Sequence, residues 1–500
     1  MLAERSVAGK ATSMRHLFAL LLIPALALGP VACRPQAEGA IRAVVIGGEP
    51  SVRDPALGPL PAEDAVLLQN VAQGLVRFDA GGNIIGGLAE RWNVSDDGLS
   101  YIFRLASAQW PDGKKVTAPQ VAKLLKRQLA ARSRNTLKDS LGAIQDVVAM
   151  TDRVIEIQLV APRPNLLSLL AQPELAILRG RDGTGPFKPE ASDVAGRELR
   201  LVRQIPGSDD EEETQREEVL LSGASTADAI GLFAAEKADL VIGGTFADLP
   251  LAQRAKLRRG SLQFDPASGL FGLVPTHTGG GIDSPDVRRL LNQAIERSNY
   301  ISALGVPGLA ARATLLEPGL DGLAPPATPA WFGVPLGERL AQLRADSERL
   351  FGKQKPAIRV SIPDGPGGDL LFQELQRDWG ALGLTIERAT SGSAADFLVI
   401  DEVAPSSSPA WFVRRFRCGA VAVCDPKADE LMDAARDTPV AAQRYALLAQ
   451  AAARIDDAQL FIPITAPVRW FLVSSRVQGF TGNRYARHTL TDLGQQPGKE

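Results

Sequence analysis

Residues 74–118 contain the most informative part of the sequence. They include GLVRFD at 74–79, GLAERW at 87–92, VSDDGLSYIFRL at 94–105, WPDG at 110–113 and VTA at 116–118. Tyr101, Phe103 and Leu105 occupy alternate positions, which is the pattern of a strand with one buried face. The sequence DDG at 96–98, just before them, favours a turn. This part of the chain therefore predicts strands connected by tight turns.

The same alternation is found on both sides of this segment. Ile155, Ile157 and Leu159 are separated by polar residues and predict another half-buried strand. The apolar sequence VVI at 44–46 predicts a short buried strand near the start of the folded region.

Helices are predicted where apolar residues recur at helical spacing, in three cases after capping residues. Four such places are Thr117-Ala118-Pro119-Gln120, Ser284-Pro285, 371–382 and Thr438-Pro439. The first has the hydroxyl and amide of a capping box. Gly383 should end the third helix, and residues 384–386 should then form a strand. Strands followed by helices of this length predict α/β or α+β layers.

Length and composition restrict the class of protein. A chain of 500 residues suggests about three structural units. Hydrophobic residues make up 45%, which excludes a mostly disordered chain. The formal net charge of −2 provides no strong field for nucleic acid. Because there are only three histidines and three cysteines, we expect no metal site and no cofactor.

The N-terminus has the features of a signal peptide, which we assign to residues 1–32. The apolar sequence LFALLLIPALAL at 17–28 follows Arg15 and is too short to span a membrane. Met14 is an alternative start. The sequence PVAC at 30–33 resembles the lipobox of bacterial lipoproteins, with Cys33 as the lipidated residue. Pro30 replaces the leucine of that pattern, so ordinary cleavage and secretion is the alternative.

Catalytic motifs are absent from the sequence. There is no HExxH, no GxSxG, and no phosphate-binding glycine motif around GTG at 183–185. We therefore predict that the protein is not an enzyme. Cys418 and Cys424 are expected to form a local disulfide in an oxidising compartment, with two unpaired thiols as the alternative. The acidic run at 209–213 is interpreted as a solvated loop, since it lacks calcium-ligand spacing.

The ordered segments between residues 74 and 118 resemble the extracellular solute-binding proteins of the peptide/nickel class, family 5, which supply ABC importers. Three later segments continue the resemblance: GTGPF at 183–187, the helix from Val287 to Arg297, and FIP at 461–463 followed by SSRVQGF at 474–480. Together they cover about residues 41–485.

The resemblance implies a two-lobed α/β periplasmic-binding-protein fold of type II, with an extra subdomain inserted in lobe I. Ligand is expected to bind between the lobes and favour the closed form. The implied ranges are 34–55, 172–272 and 472–500 for lobe I, 56–171 for the inserted subdomain, and 273–471 for lobe II.

The resemblance also places a candidate ligand site. Peptide-binding members carry a segment like W-x-x-D-x-x-D-P, whose second Asp pairs with the peptide ammonium. Aligned on Pro409 and Phe412, this chain has Glu402 at the Trp and Ser408 at that Asp. An ammonium buried without a carboxylate binds poorly. Asp401 or Glu402 must therefore replace the lost carboxylate, or the ligand lacks a free amine.

Two further residues belong to the predicted site. Trp411 could form an apolar wall of the pocket, with core packing as the alternative. Glu49 would face the cleft by analogy with the family, with an exposed loop charge as the alternative.

The resemblance, together with the leader, implies a monomeric substrate-binding lipoprotein of an ABC importer, held in the cell envelope only by its lipid. Its partners would be a peptide or other small organic solute and the ABC permease subunits. One alternative, from another class, is a ligand-sensing or adaptor protein on the same fold. Another is an envelope hydrolase.

Overall fold

The computed structural model describes residues 39–190, 198–205, 215–277, 281–353, 355–389 and 394–494. The proposed signal peptide, Cys33 and the acidic run at 209–213 lie outside these residues. No helix in the described ranges is long and apolar enough to cross a membrane.

The strands of the described residues are, in chain order, β1 Ile41–Ile46, β2 Val76–Phe78, β3 Ile84–Gly86, β4 Ala89–Val94, β5 Ser100–Leu105, β6 Ile144–Thr151, β7 Val154–Leu159, β8 Lys188–Glu190, β9 Leu199–Ile205, β10 Gln215–Ala224, β11 Leu240–Thr245, β12 Leu262–Phe264, β13 Gly269–Pro275, β14 Ala357–Ser361, β15 Thr385–Arg388, β16 Phe397–Val403, β17 Ile462–Thr465 and β18 Arg469–Val473.

The helices are α1 Ala62–Val71, α2 Ala118–Leu129, α3 Leu166–Leu170, α4 Thr226–Ala234, α5 Leu249–Arg254, α6 Pro285–Gln293, α7 Arg297–Leu304, α8 Leu336–Phe351, α9 Pro366–Gly380, α10 Pro409–Arg414, α11 Pro426–Asp437 and α12 Ala441–Asp457.

Two large sheets define the two lobes. The first sheet has the spatial order β12-β18-β11-β1-β10-β9-β8, and we call the part of the chain around it the first lobe. The second sheet has the order β15-β14-β16-β13-β17 and defines the second lobe. β1 is parallel to both β10 and β11, so the carboxyl ends of these three strands meet at one edge.

A separate sheet of order β4-β5-β7-β6 and the hairpin β2-β3 form the inserted subdomain, between β1 and β8 in the chain. Phe103, Ile155 and Ile157 are fully buried in its core, as their alternation predicted. The capping box predicted at Thr117 and Gln120 is present at the start of α2.

The chain connects the two large sheets twice. It leaves the first sheet after β12 and enters the second at Gly269, then returns between β17 and β18. The lobe boundaries predicted at 272/273 and 471/472 are therefore each displaced. Residues 269–272 pair with β16 in the second sheet, while Arg469 already pairs with Thr245 in the first.

One predicted helix start was wrong. α12 begins at Ala441 and has Val440 at its cap, not Thr438-Pro439. The Thr438 hydroxyl instead donates to the Ala434 carbonyl at 2.7 Å, at the end of α11. The Thr438 hydroxyl therefore bonds to the C-terminal turn of α11, although Thr followed by Pro is also typical of a helix start. The third predicted helix does end as expected, with Gly383 at a φ of 81°.

Candidate functional site

Glu49 lies just beyond β1, at the edge where the parallel strands of the first sheet end. Its side chain is exposed. This edge is where open α/β sheets bind ligands. The hydrogen bonds and ion pairs of the described residues do not connect Glu49 with the four predicted site residues of the second lobe.

Asp401 and Glu402 lie on opposite faces of the second sheet, because neighbouring residues of β16 alternate in direction. Asp401 is opposite Phe271 and Glu402 is opposite Leu270, which belong to two different core clusters. The two carboxylates therefore cannot share one binding site.

Asp401 forms an ion pair with Arg469. The Arg469 Nη1 atom lies 2.8 Å from both carboxylate oxygens, and Nη2 donates to the Asp401 main-chain oxygen at 3.0 Å. The Asp401 side chain is only 12% exposed, and burial raises its pKa while Arg469 opposes that rise. Since Arg469 begins β18, this pair ties the second sheet to the chain returning to the first.

Glu402 pairs with Arg415 near the surface. Both predicted carboxylates thus already have arginine partners. Neither is positioned as a free anion beside Ser408.

Ser408 and Trp411 lie at the start of α10. Ser408 occupies the cap position, but its hydroxyl makes no capping hydrogen bond. Trp411 is half-buried and packs edge-to-face on Phe412, with ring centroids 5.0 Å apart. It lies against the second lobe's core, which agrees with the packing alternative for this residue.

The residues around Ser408 contact the inserted subdomain. Asn165 donates to the Asp321 carboxylate and, at 3.3 Å, to the Ser407 hydroxyl, which in turn donates to Asp321 at 2.8 Å. Gln172, where the chain continues from this subdomain into the first lobe, donates to the Pro405 carbonyl at 2.9 Å. Ser408 therefore lies where the second lobe meets the inserted subdomain, although Ser407 makes the direct contact.

A cavity of about 990 Å³ opens between these two parts of the chain. The inserted subdomain contributes Leu129, Lys138 and Ile144 to its lining, and the second lobe contributes Arg414, Met432 and Arg436. A smaller pocket shares the last three residues and adds Arg163, Ser408 and Arg444. We call these adjoining spaces, lined by Arg163, Ser408, Arg414, Arg436 and Arg444, the arginine cleft.

The arginine cleft carries mutually repelling charges. The pKa of Arg163 is lowered to about 10, first by burial and then by the charges of Arg444, Arg414 and Arg436. Burial and the neighbouring charges of Arg417 and Arg436 also lower the pKa of Arg414. These arginines were not predicted from the sequence. The run RRFR at 414–417, just after Trp411, was the one local signal for them.

Cys418 and Cys424 are joined by a disulfide at the edge of the cleft. The Cys418 amide donates to the Asp429 carboxylate at 3.1 Å, which fixes the loop against α11. Cys418 also lines the large cavity, so the predicted bridge braces part of its wall.

No group of histidines, cysteines and carboxylates in the described residues is arranged to hold a metal ion. The two histidines outside the leader each contact an aspartate. His277 Nε2 is 2.9 Å from Asp396, and His488 Nε2 is 3.2 Å from Asp265. Neither histidine lines the arginine cleft.

The chain is similar to known binding proteins over most of its length. It is 27% identical to the probable di/tripeptide-binding protein 5 of Pseudomonas aeruginosa (strain UCBPP-PA14) over 495 residues, covering 83% of this chain and 88% of that protein. OppA of Burkholderia pseudomallei superimposes with a TM-score of 0.76 at 17% identity, covering 90% of this chain and 98% of that one. The murein tripeptide binding protein MppA of Escherichia coli gives a TM-score of 0.75 at 18% identity, covering 92% and 98%.

The superpositions confirm the two-lobed periplasmic-binding-protein fold predicted from the sequence. The model of the family described as "Bacterial extracellular solute-binding proteins, family 5 Middle" matches residues 83–400, which is more than half of the chain. The chain therefore belongs to family 5 of the bacterial extracellular solute-binding proteins.

Proposed function

We propose that the protein is the substrate-binding component of an ABC importer and captures a peptide or other small organic solute between its lobes. The observation that carries the proposal is the cavity of about 990 Å³ between the inserted subdomain and the second lobe. This volume lies at the upper end of the range usual for small-molecule sites. Its polar groups come from both sides, so a bound solute would stabilise the closed arrangement.

The relatives support this function and the expected partners. The Pseudomonas relative is named as a di/tripeptide-binding protein, and similar Brucella proteins are named as putative ABC transporter peptide-binding proteins. By analogy, the closed protein would deliver its solute to permease subunits, act as a monomer and work in the cell envelope. It would do so without catalysing a reaction.

Native mass spectrometry of the purified protein tests this function. We expect a non-covalent adduct of a small solute, which is lost on unfolding and regained when the released fraction is added back. The Gly142→Trp change should remove the adduct, because Gly142 lines the cavity and an indole would fill part of it.

Gly337→Trp is the matched control. Gly337 has open space beside it and lines neither cavity of the arginine cleft, so this variant should keep the solute. Wild-type protein without any adduct, or an adduct equally abundant in both tryptophan variants, would contradict binding in this cavity.

We also propose that the mature protein is anchored by lipid at Cys33. The leader and the sequence PVAC at 30–33 support this. Cys33→Ala should move the protein from the membrane fraction to the soluble envelope fraction. Immunoblotting of the fractions, with an intact mass of the mature N-terminus, measures the effect. A wild-type protein that is already soluble and unmodified would show ordinary cleavage instead.

A further inference from the structure

We infer that the arginine cleft binds the oxyanion of its solute, a carboxylate or phosphate group, at the place where the family resemblance puts a peptide's ammonium. This inference rests on the proposed function and specifies its substrate class. The argument depends on which guanidinium groups of the cleft are already neutralised.

Three arginines of the cleft have no carboxylate partner among the described residues. Arg163 donates to the carbonyls of Pro162 and Arg436, at 2.9 and 3.2 Å. Arg414 donates to the Asp139 carbonyl at 3.1 Å. Arg444, only 6% exposed, donates to the carbonyls of Thr438 and Pro439.

Two nearby carboxylates form ion pairs with other arginines. Asp433 accepts from Arg417 at 2.8 and 2.9 Å and from Arg436 at 3.1 Å. Asp437 accepts from Arg436 at 2.9 Å. The charges of Asp139 and Asp433 partly offset that of Arg414, and Asp437 interacts with the charge of Arg163. Positive charge therefore remains in excess around Ser408, within a partly desolvated pocket.

Main-chain carbonyls satisfy some guanidinium N–H groups but do not neutralise the charge. Guanidinium groups bind carboxylate and phosphate oxygens through short, charge-assisted hydrogen bonds. A solute oxyanion would supply the missing counter-charge and reduce the repulsion among the arginines. An ammonium group beside the Ser408 hydroxyl would face several cations, which is unfavourable at short range.

The arginines come from both sides of the cleft. Arg163 belongs to the inserted subdomain, while Arg414, Arg436 and Arg444 belong to the second lobe. An anion bound between Arg163 and Arg414 would therefore contact both parts at once. Its charge would favour the closed form directly.

The test uses one mixed tripeptide library with amidated C-termini, prepared with three N-termini: N-succinyl, which is anionic, N-acetyl, which is neutral, and a free amine. Inorganic phosphate is a fourth probe. Calorimetry should show binding of the succinylated library or of phosphate. The acetylated library should bind at least about tenfold more weakly than the succinylated one, and the free amine least.

Arg163→Gln and Arg414→Gln should each weaken binding of the anionic probe about tenfold or more. Arg415→Gln is the matched control, because Arg415 follows Arg414 directly but pairs with Glu402 and does not line the cleft. Ser408→Asp should also abolish anion binding, since it places a carboxylate among the arginines. Circular dichroism and thermal unfolding of each variant check that the protein folds.

The inference would be overturned if neither the succinylated library nor phosphate binds, or if all three forms of the library bind equally. It would also be overturned if Arg163→Gln, Arg414→Gln and Arg415→Gln bind the anionic probe with equal affinity. The co-purified solute shows whether only this inference fails or the proposed function fails as well. A solute without an acid group, retained by both cleft variants, would leave the binding function standing. Absence of any solute in wild type would instead count against the function itself.

Discussion

Replacing Arg469 by methionine should lower the free energy of unfolding by about 3–5 kcal/mol, the cost of removing one partner from a buried ion pair. The change leaves the Asp401 carboxylate buried and without its partner. Burial raises the pKa of Asp401 in the folded protein. As pH rises, the unfolded protein therefore loses the Asp401 proton at a lower pH than the folded protein does. The variant should therefore lose stability as pH rises above about 4, the usual aspartate pKa. Urea unfolding at pH 5 and pH 8 measures both effects.

Arg415→Met provides a matched control for Arg469→Met. Arg415 pairs with Glu402, the residue next to Asp401, but the two side chains are 46% and 36% exposed. An exposed pair of this kind is worth less than about 1 kcal/mol. A double variant, Asp401→Leu with Arg469→Met, should recover much of the lost stability because no buried charge remains. If Arg469→Met is no more harmful than Arg415→Met, the buried pair is not important for stability.

Gly185→Ala should lower the free energy of unfolding by about 3 kcal/mol, at the upper end for overpacking. A Cβ at this position would lie 2.4 Å from the Asn70 oxygen and 2.5 Å from the Ala72 nitrogen. These are main-chain atoms at the end of α1, so they cannot move aside as a flexible side chain would. The Gly185 amide also donates to the Val71 carbonyl at 3.0 Å. Thermal and urea unfolding should both detect the loss.

Gly231→Ala is the corresponding control. Gly231 lies inside α4 with open space beside it, and its φ is not positive. Alanine there should stabilise the protein by about 0.5–1 kcal/mol through its higher helix propensity. Similar losses in both variants would show that the close approach at Gly185 is not the cause.

Local sequence patterns predicted elements whose stability depends on nearby residues. The alternation at Tyr101, Phe103 and Leu105 gave β5, and the capping box at Thr117 and Gln120 gave the start of α2. Both patterns are complete within a few residues. The start of α12 was mispredicted because Thr438 can serve either of two adjacent helices, and its hydroxyl donates to the Ala434 carbonyl, four residues earlier, at the end of α11.

The candidate site was harder to predict because its contacts connect distant parts of the chain. Asp401 looked like a ligand-binding carboxylate, but its partner Arg469 is 68 residues away and reaches it only in the folded protein. The arginine cleft likewise brings together Arg163, Arg414 and Arg444 from separate parts of the chain. The sequence could indicate that Ser408 replaces a carboxylate of the family pattern, but it could not indicate which charged side chains surround Ser408.

The order of strands in the first sheet has a consequence for synthesis and folding. β18, the last strand among the described residues, lies between β12 and β11 inside this sheet. All five strands of the second sheet lie between Gly269 and Thr465, so that sheet is complete in sequence before β18 begins. β17 and β18, which complete the second and the first sheet, are separated by only three residues, so both lobes gain their final strand late and at nearly the same point of synthesis. Until then, β11 and β12 present unpaired edges, and the nascent chain is exposed to aggregation and proteolysis at these strands.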